Sequence, residues 1–497
     1  MERMDDRMQR ALSQTLSWLE SVDRRHRRAL QWGCAALIAA AFTLLSVYAG
    51  PASMLSRCET WQERKLFLLL FGAMYGGAMA ACLIVKKWDW TRFFYMAVLM
   101  VVALCIRVAV FDQVTADYVS FLKQWVGTFQ KHGAKALAME VGDYNLPYQY
   151  ILLGISRLPL STLYLIKYVS ILFDFALAIL MMCAVERFVD KKYGMIALTA
   201  MLLIPTFWFN GAFWAQCDAL YCFFVLACVY AMLADRPVLS VAMLTIAFSF
   251  KIQTIFFFPL VLLGLWGKKL KLRHALVFPA VYLLTILPAL LAGRSLMSAI
   301  TIYLRQVGQY DERLTYNTAN IYQFMPFGGV HMQPLYQPIV QYIPGINPEQ
   351  WNEWYTPDTI RYLLRALVPY AGMLVLCLVY YLFNHRKWIR MHHIWRLSLA
   401  FTLLMPMVLP KMHDRYFALA EMFSILYAIR YPKRWYVPVM VIFASFESYM
   451  PFLARERPVD LRIAAAIMVA ATGLVLADVI REMRALRAES EALKVEG

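Results

Sequence analysis

Apolar runs near the ~20 residues needed to cross a bilayer recur from about residue 29 to 480, separated by short charged turns and two long connections. The pattern predicts crossings at about 29–49, 66–85, 93–111, 162–184, 193–211, 217–233, 238–250, 252–266, 275–292, 362–383, 397–410, 416–430, 435–453 and 461–480. The pair 238–250 and 252–266 is short and meets at Lys251 with no turn residue between, which suggests broken or re-entrant helices where backbone lines a cavity. The expectation is an all-α polytopic membrane protein with 13 to 14 transmembrane helices in one integral domain. Residues 1–20 place Met4, Met8, Leu12, Leu16 and Leu19 on one helical face, as in a helix lying on a membrane surface. The polar stretch ahead of the first apolar run is too long for a secretory signal, so that run reads as an uncleaved anchor.

Composition agrees. At 61% hydrophobic and 16% charged residues, the chain has too little polar surface to cover a water-soluble globule. Lys and Arg, which are retained on the cytoplasmic side, set the orientation. With both termini inside, cytoplasmic segments hold 28 of them, external segments 16, and crossings five. Much of the net +17 is therefore topology and attraction to anionic membrane lipid, and nucleic-acid binding is not expected. The nine cysteines lie mostly in apolar segments without a Cys-x-x-Cys pair, which reads as buried thiols rather than zinc or disulfides.

Both long connections, about 112–161 and 293–361, fall outside. In "FDQVTADYVSFLKQWVGTFQKHG", Phe121, Trp125, Val126 and Phe129 recur at helical spacing, with Asp117 near the start of the helix they predict. The plainer role for Asp117 is an N-cap. Asp143 follows in "GDYNLPYQYILL", Gln216 and Asp218 stand at the mouth of a crossing, and Lys251 lies between two apolar runs, where snorkelling to the interface is its plainer role. Asn317 and Asn320 occur in "YNTANIYQF". In "LPKMHDRYFALAEMFSILYAI", His413 and Arg415 stand on the side where positive charge is depleted. Ionisable groups at membrane depth usually face a cavity, and these gather at one predicted face. Asp174, nearer mid-bilayer, has Lys167 two turns earlier as a possible ion-pair partner.

The order "ADYVSFLKQW", "GDYNLPYQY", "WAQCDALY", "SFKIQT", "NTANIY" and "KMHDRYF" resembles the GT-C glycosyltransferases related to the GPI mannosyltransferases, and more distantly the dolichyl-phosphate-glucose-dependent glucosyltransferases of N-glycan assembly. The resemblance covers residues 93–430 as a catalytic module, ahead of which stand a cytoplasmic segment 1–28 and two extra helices in 29–92; helices and a tail follow in 431–497. It implies a bacterial plasma-membrane enzyme moving a hexose, mannose or glucose, from a polyprenyl-phosphate donor to a glycan, lipid-linked or protein acceptor outside the cell. By the same resemblance Asp117 is the catalytic carboxylate, Asp143 a second acidic position, and His413, Arg415 and Lys251 the groups at the donor phosphate. The sequence departs from many relatives in having Asp414 where Glu is expected, and in the two extra helices.

The chemistry of such a transfer suits these residue types. A departing phosphate needs fixed counter-charge as negative charge builds, and the acceptor hydroxyl needs a base. One base without a covalent nucleophile implies inversion by single displacement. Gln216, Asp218, Asn317 and Asn320 are candidates to bind sugar hydroxyls. Trp208, Trp214 and Tyr221 are candidates to stack on the sugar, although an interfacial aromatic belt is the plainer reading. No cofactor and no metal cluster is expected. Two other classes fit less well: a polymerase or ligase using lipid-diphosphate glycans, and a flippase or secondary transporter, whose inverted repeats the halves do not show.

Overall fold

The computed structural model describes residues 61–85, 90–308, 313–325 and 357–495, with scattered positions between 13 and 37. It is 81% helical. The surface helix expected over residues 1–20 and the first crossing fall largely outside the described residues. The chain is an all-α polytopic membrane protein, and its helices follow the apolar runs closely.

Among the described residues, six helical segments are long and apolar enough to cross a membrane: Trp90–Ala109, Thr162–Phe188, Leu272–Leu291, Ile360–Asn384, Pro432–Leu453 and Leu461–Ala492. A seventh arises if Lys191–Leu203 and Pro205–Phe213, bent by 45°, count as one span. The other described runs form helices at the expected places, but several are short. At about 1.5 Å per residue, a helix such as Asp218–Leu233 (16 residues) or Pro237–Phe250 (14 residues) does not reach across a ~30 Å core by itself. These short helices stop at irregular backbone.

In chain order the helices used below are α1 (Trp61–Val85), α2 (Trp90–Ala109), α3 (Lys123–His132), α4 (Leu146–Ile155), α5 (Thr162–Phe188), α6 (Gly194–Leu203), α7 (Pro205–Trp208), α8 (Asp218–Leu233), α9 (Pro237–Phe250), α10 (Pro259–Trp266), α11 (Val277–Leu291), α12 (Leu296–Ile300), α13 (Ile302–Gly308), α14 (Pro357–Asn384), α15 (Ile394–Val408), α16 (Ala418–Arg430), α17 (Tyr436–Leu453) and α18 (Leu461–Val495). α8 packs between α5 and α9, and α15, α16, α17 and α18 pack in succession. One apolar cluster runs from Phe67 on α1 to Met483 on α18. The outer faces stay apolar, with Val98, Leu283, Leu284, Leu376 and Val439 exposed, as a lipid-facing surface requires. α1 is docked on α5 through Phe67–Tyr164 and Phe71–Tyr168 ring contacts of 5.3 and 5.6 Å.

Three breaks shape the bundle. Pro205 drives Ile204 out of helical geometry (ψ 120°) and ends α6. The Leu202 carbonyl at that end accepts from Arg107 Nη1 at 3.0 Å, while Arg107 Nε meets Asp174 at 2.9 Å. Asp174 therefore pairs with α2 and not with Lys167, whose ammonium donates to the Phe111 and Gln113 carbonyls at 2.7 and 2.6 Å. The second break follows a π turn at Phe209–Phe213, where Ala215 has φ 66°. The third is Lys251, which is extended (φ −145°, ψ 135°) between α9 and a 3-10 turn at Ile252–Phe257. That is the broken-helix arrangement expected at this pair.

An unexpected piece of sheet joins distant segments. β1 (Thr315–Tyr316) pairs in parallel with β2 (Met412–His413), Asn317 bridges to His413, and Lys411 N–H donates to the Leu314 carbonyl at 2.7 Å. Asn317 (φ 60°) and Lys411 (φ 61°) take left-handed backbone to make the exchange; Asn tolerates this better than most residues.

Candidate functional site

The helix expected after Asp117 is present: a π turn at Tyr118–Leu122 runs into α3, with Leu122, Val126 and Phe129 buried. Val126 and Phe129 of the expected stripe are buried and Trp125 is half-buried, while Phe121 is exposed and Leu122 takes its place in the core. Asp117 makes no side-chain cap bond. Its Oδ2 instead accepts from Trp214 Nε1 and Gln216 Nε2, both at 2.9 Å. Two residues from the irregular backbone before α8 thus hold a carboxylate from the first loop. Gln216 is fixed in turn, its Oε1 accepting from the Tyr144 hydroxyl at 2.6 Å and its carbonyl from Ser170 Oγ at 2.6 Å.

A cavity of about 280 Å³ opens at this carboxylate. Its lining includes Asp117, Asp143, Gln216, Asn317, His413 and Arg415, drawn from five separated stretches of chain. Tyr144, Trp214, Arg313, Tyr316, Asp414 and Tyr416 complete much of the wall. The structure therefore brings six of the nine expected site residues together around one space.

The remaining three lie deeper or elsewhere. Lys251 and Asp218 form a buried ion pair. Asp218 Oδ2 also accepts from Asn210 Nδ2 at 2.6 Å and lies 3.8 Å from Arg415 Nε. Lys251 does not snorkel; its ammonium stands 5.2 Å from the Tyr144 ring centroid. The pair supports the cavity floor and Arg415 rather than lining the space. Asn320 is fully buried, accepting from Tyr322 N–H at 3.2 Å and donating to the Pro406 carbonyl at 3.3 Å. It shapes the second loop and does not reach the cavity.

Arg415 is placed by Trp214, whose ring lies 5.1 Å beneath its guanidinium, and by Asp414 at 3.7 Å. Trp214 is buried, stacks on Phe452 at 4.8 Å, and so belongs to the site rather than to an interfacial belt. His413 stacks on Tyr316 at 4.6 Å and 9°. Burial, reinforced by Arg415 and Lys251, pushes His413 down to about 3, so the ring is neutral at physiological pH. That alters the expected electrostatics: a neutral His413 can offer a hydrogen bond, and Arg415, kept charged against its burial by nearby Asp218, carries the positive charge. Burial pushes Asp414 the other way, up to about 7, against the opposing effect of Arg415 and with help from Asp117.

A second space of about 450 Å³ adjoins the first, sharing Gln306, His413 and Tyr416 with it. Its walls are mainly apolar, including Ile252, Ile255, Phe256, Leu364, Val368 and Leu409, and its charged lining residues, Arg361, Arg365 and Lys411, are all cationic. Among the described residues, no acidic side chain lines it. Trp125, Tyr144, Arg313, Asp414 and the cationic groove are the features that sequence reasoning did not assign. Asp414 and Tyr144 stood inside quoted motifs, but only the fold shows that they face the same space.

Comparison with protein families, curated proteins and solved structures finds no match to this chain. The site must be interpreted from its own chemistry.

Proposed function

We propose that this protein is an integral-membrane glycosyltransferase that moves a hexose, glucose or mannose, from a polyprenyl phosphate to an acceptor hydroxyl at the extracytoplasmic face of a bacterial plasma membrane. The observation that carries the reading is the junction at His413. On one side of it lies an apolar groove edged by cations; on the other lies a polar cavity lined by carboxylates and aromatic rings. An amphiphile with an apolar chain, an anionic link and a sugar has the same three parts in the same order.

In this reading the polyprenyl chain occupies the groove, and the phosphate sits at the junction near Arg415, His413 and Lys411. The sugar enters the 280 Å³ cavity. Asp117 takes the proton of the acceptor hydroxyl as the hydroxyl attacks the anomeric carbon. Its two N–H donors fix the carboxylate orientation before reaction, which is the condition for an effective base. Asp143 orients the acceptor, and Asn317 and Gln216 offer hydrogen bonds to sugar hydroxyls. Negative charge grows on the departing phosphate, where the Arg415 guanidinium is already positioned. With Asp117 acting as base on the acceptor, the transfer is a single displacement that inverts the anomeric carbon. The orientation outward rests on the Lys/Arg asymmetry of the loops.

The test is incubation of purified protein with a panel of polyprenyl-monophosphate and polyprenyl-diphosphate sugars and candidate acceptors, with mass spectrometry of the products. The expected result is hexose transfer from a monophosphate donor. Exclusive use of diphosphate-linked oligosaccharides would replace this reading with a polymerase or ligase.

A further inference from the structure

We propose that Asp414 is a second catalytic group: a carboxyl that carries a proton at rest and delivers it to the departing phosphate, while Asp117 collects one from the acceptor. This inference rests on the glycosyltransferase reading above.

Among the described residues around Asp414, two buried cations, Lys251 and Arg415, stand against three carboxylates, Asp117, Asp218 and Asp414, and Arg313 and Asp143 add one charge of each sign to the same lining. His413 is neutral and contributes no charge. A low-dielectric wall does not hold an uncompensated anion cheaply, so one carboxylate takes a proton.

Local bonding selects which one. Asp117 Oδ2 accepts two hydrogen bonds, from Trp214 and Gln216. Asp218 has Lys251 and Asn210. Asp414 is buried, its Oδ1 meets no hydrogen-bond donor among the described residues, and Arg415 Nη1 stands 3.7 Å away. The groups bearing on Asp414 are Asp117 from the first loop, Asp218 from α8 and Arg415 beside it, with Tyr449 from α17 also in its field. The two carboxylates disfavour its ionisation and Arg415 alone opposes them.

The step balances. The acceptor O–H bond breaks and its proton goes to Asp117; the acceptor oxygen bonds to the anomeric carbon as the carbon–oxygen bond to phosphate breaks. The leaving phosphate takes the electron pair and the Asp414 proton, departing as a monoanion. Asp117 is then protonated and Asp414 ionised, and a proton passing between them across the shared cavity restores the start. A phosphate monoester has a second pKa of about 6, close to the value of about 7 to which burial raises Asp414, so the transfer is nearly thermoneutral.

Two measurements test this. In an infrared pH titration, the wild-type protein is expected to lose a protonated-carboxyl band with a midpoint near pH 7, a component that Asp414→Asn lacks and Asp414→Glu retains. In turnover assays Asp414→Asn is expected to fall about 100-fold and to lose the alkaline limb of the kcat profile, which Asp414→Glu preserves. A band of undiminished amplitude in Asp414→Asn, or an unchanged alkaline limb, overturns the proposal. Failure of the wild type to use any lipid-linked donor overturns the glycosyltransferase reading instead, and the infrared result distinguishes the two because it needs no substrate.

Discussion

At the scale of single residues, function is concentrated in side chains whose apparent chemistry changes with their neighbours. His413 next to Arg415 reads as a pair of cations, yet burial and the adjacent charges leave the imidazole neutral. Its contribution is expected to be a hydrogen bond to an anion, worth about 1.5–3 kcal/mol. His413→Ala should therefore raise the donor KM roughly 10- to 100-fold, and donor affinity in the wild type should stay flat between pH 5 and pH 8 as far as this ring is concerned. A steep loss of affinity above pH 6.5 that His413→Gln abolishes would contradict the neutral assignment. Gly142 supplies a second expectation. Its φ of 66° is left-handed, and an added Cβ would overlap the Trp125 indole. Gly142→Ala should displace Trp125 and the neighbouring Asp143, lowering kcat while leaving donor binding, measured by ligand-induced fluorescence change, near normal.

Among secondary-structure elements, the useful features are breaks. A continuous helix would point Trp214 and Gln216 about 200° apart around its axis, and would turn Lys251 with the rest of its own helix. The π turn with Ala215, and the extended Lys251, direct them instead toward Asp117 and Asp218. The periodicity of apolar residues marked the helices well, and the missing turn residue at Lys251 marked one break. The strand pairing of Tyr316 with His413 was not legible, because each strand has only two residues and no alternation to detect. Nor did spacing along the chain reveal that Asp174 pairs with Arg107, 67 positions away, rather than with the nearer Lys167. That pair joins α2 to α5 with both side chains buried. Asp174→Ala should cost about 3–5 kcal/mol, seen as a lower Tm in detergent; an unchanged Tm would show that the pair is not structural. At the strand junction, Asn317→Gly should keep the fold, because glycine accepts φ 60°, and lose only the side chain's hydrogen bond to the sugar, whereas Asn317→Val should lose more activity through displacement of His413, read in the same transfer assay.

For the whole molecule, several of the described helices that follow the apolar runs around the cavity are shorter than a full crossing. The short helices end where backbone carbonyls and amides turn to each other or to side chains, so the interruption at membrane depth remains satisfied. Six of the nine residues chosen from sequence share one cavity, since carboxylates and cations are costly in an apolar chain and a cavity is one of the few places they are stable. The other three stand behind the cavity lining for a common reason. Asp218, Lys251 and Asn320 satisfy one another or nearby backbone, and composition alone does not distinguish a polar group that supports a site from one that lines it.

The most direct test compares substrate binding and turnover in one variant. Asp117→Asn preserves the size of the side chain while removing its ability to take a proton. The account predicts that this variant binds a polyprenyl-phosphate hexose with an affinity close to wild type, while transfer, followed by mass spectrometry of the product, falls by at least about 100-fold. Near-normal transfer by Asp117→Asn would contradict the assignment of the base and, with it, the catalytic account of the cavity.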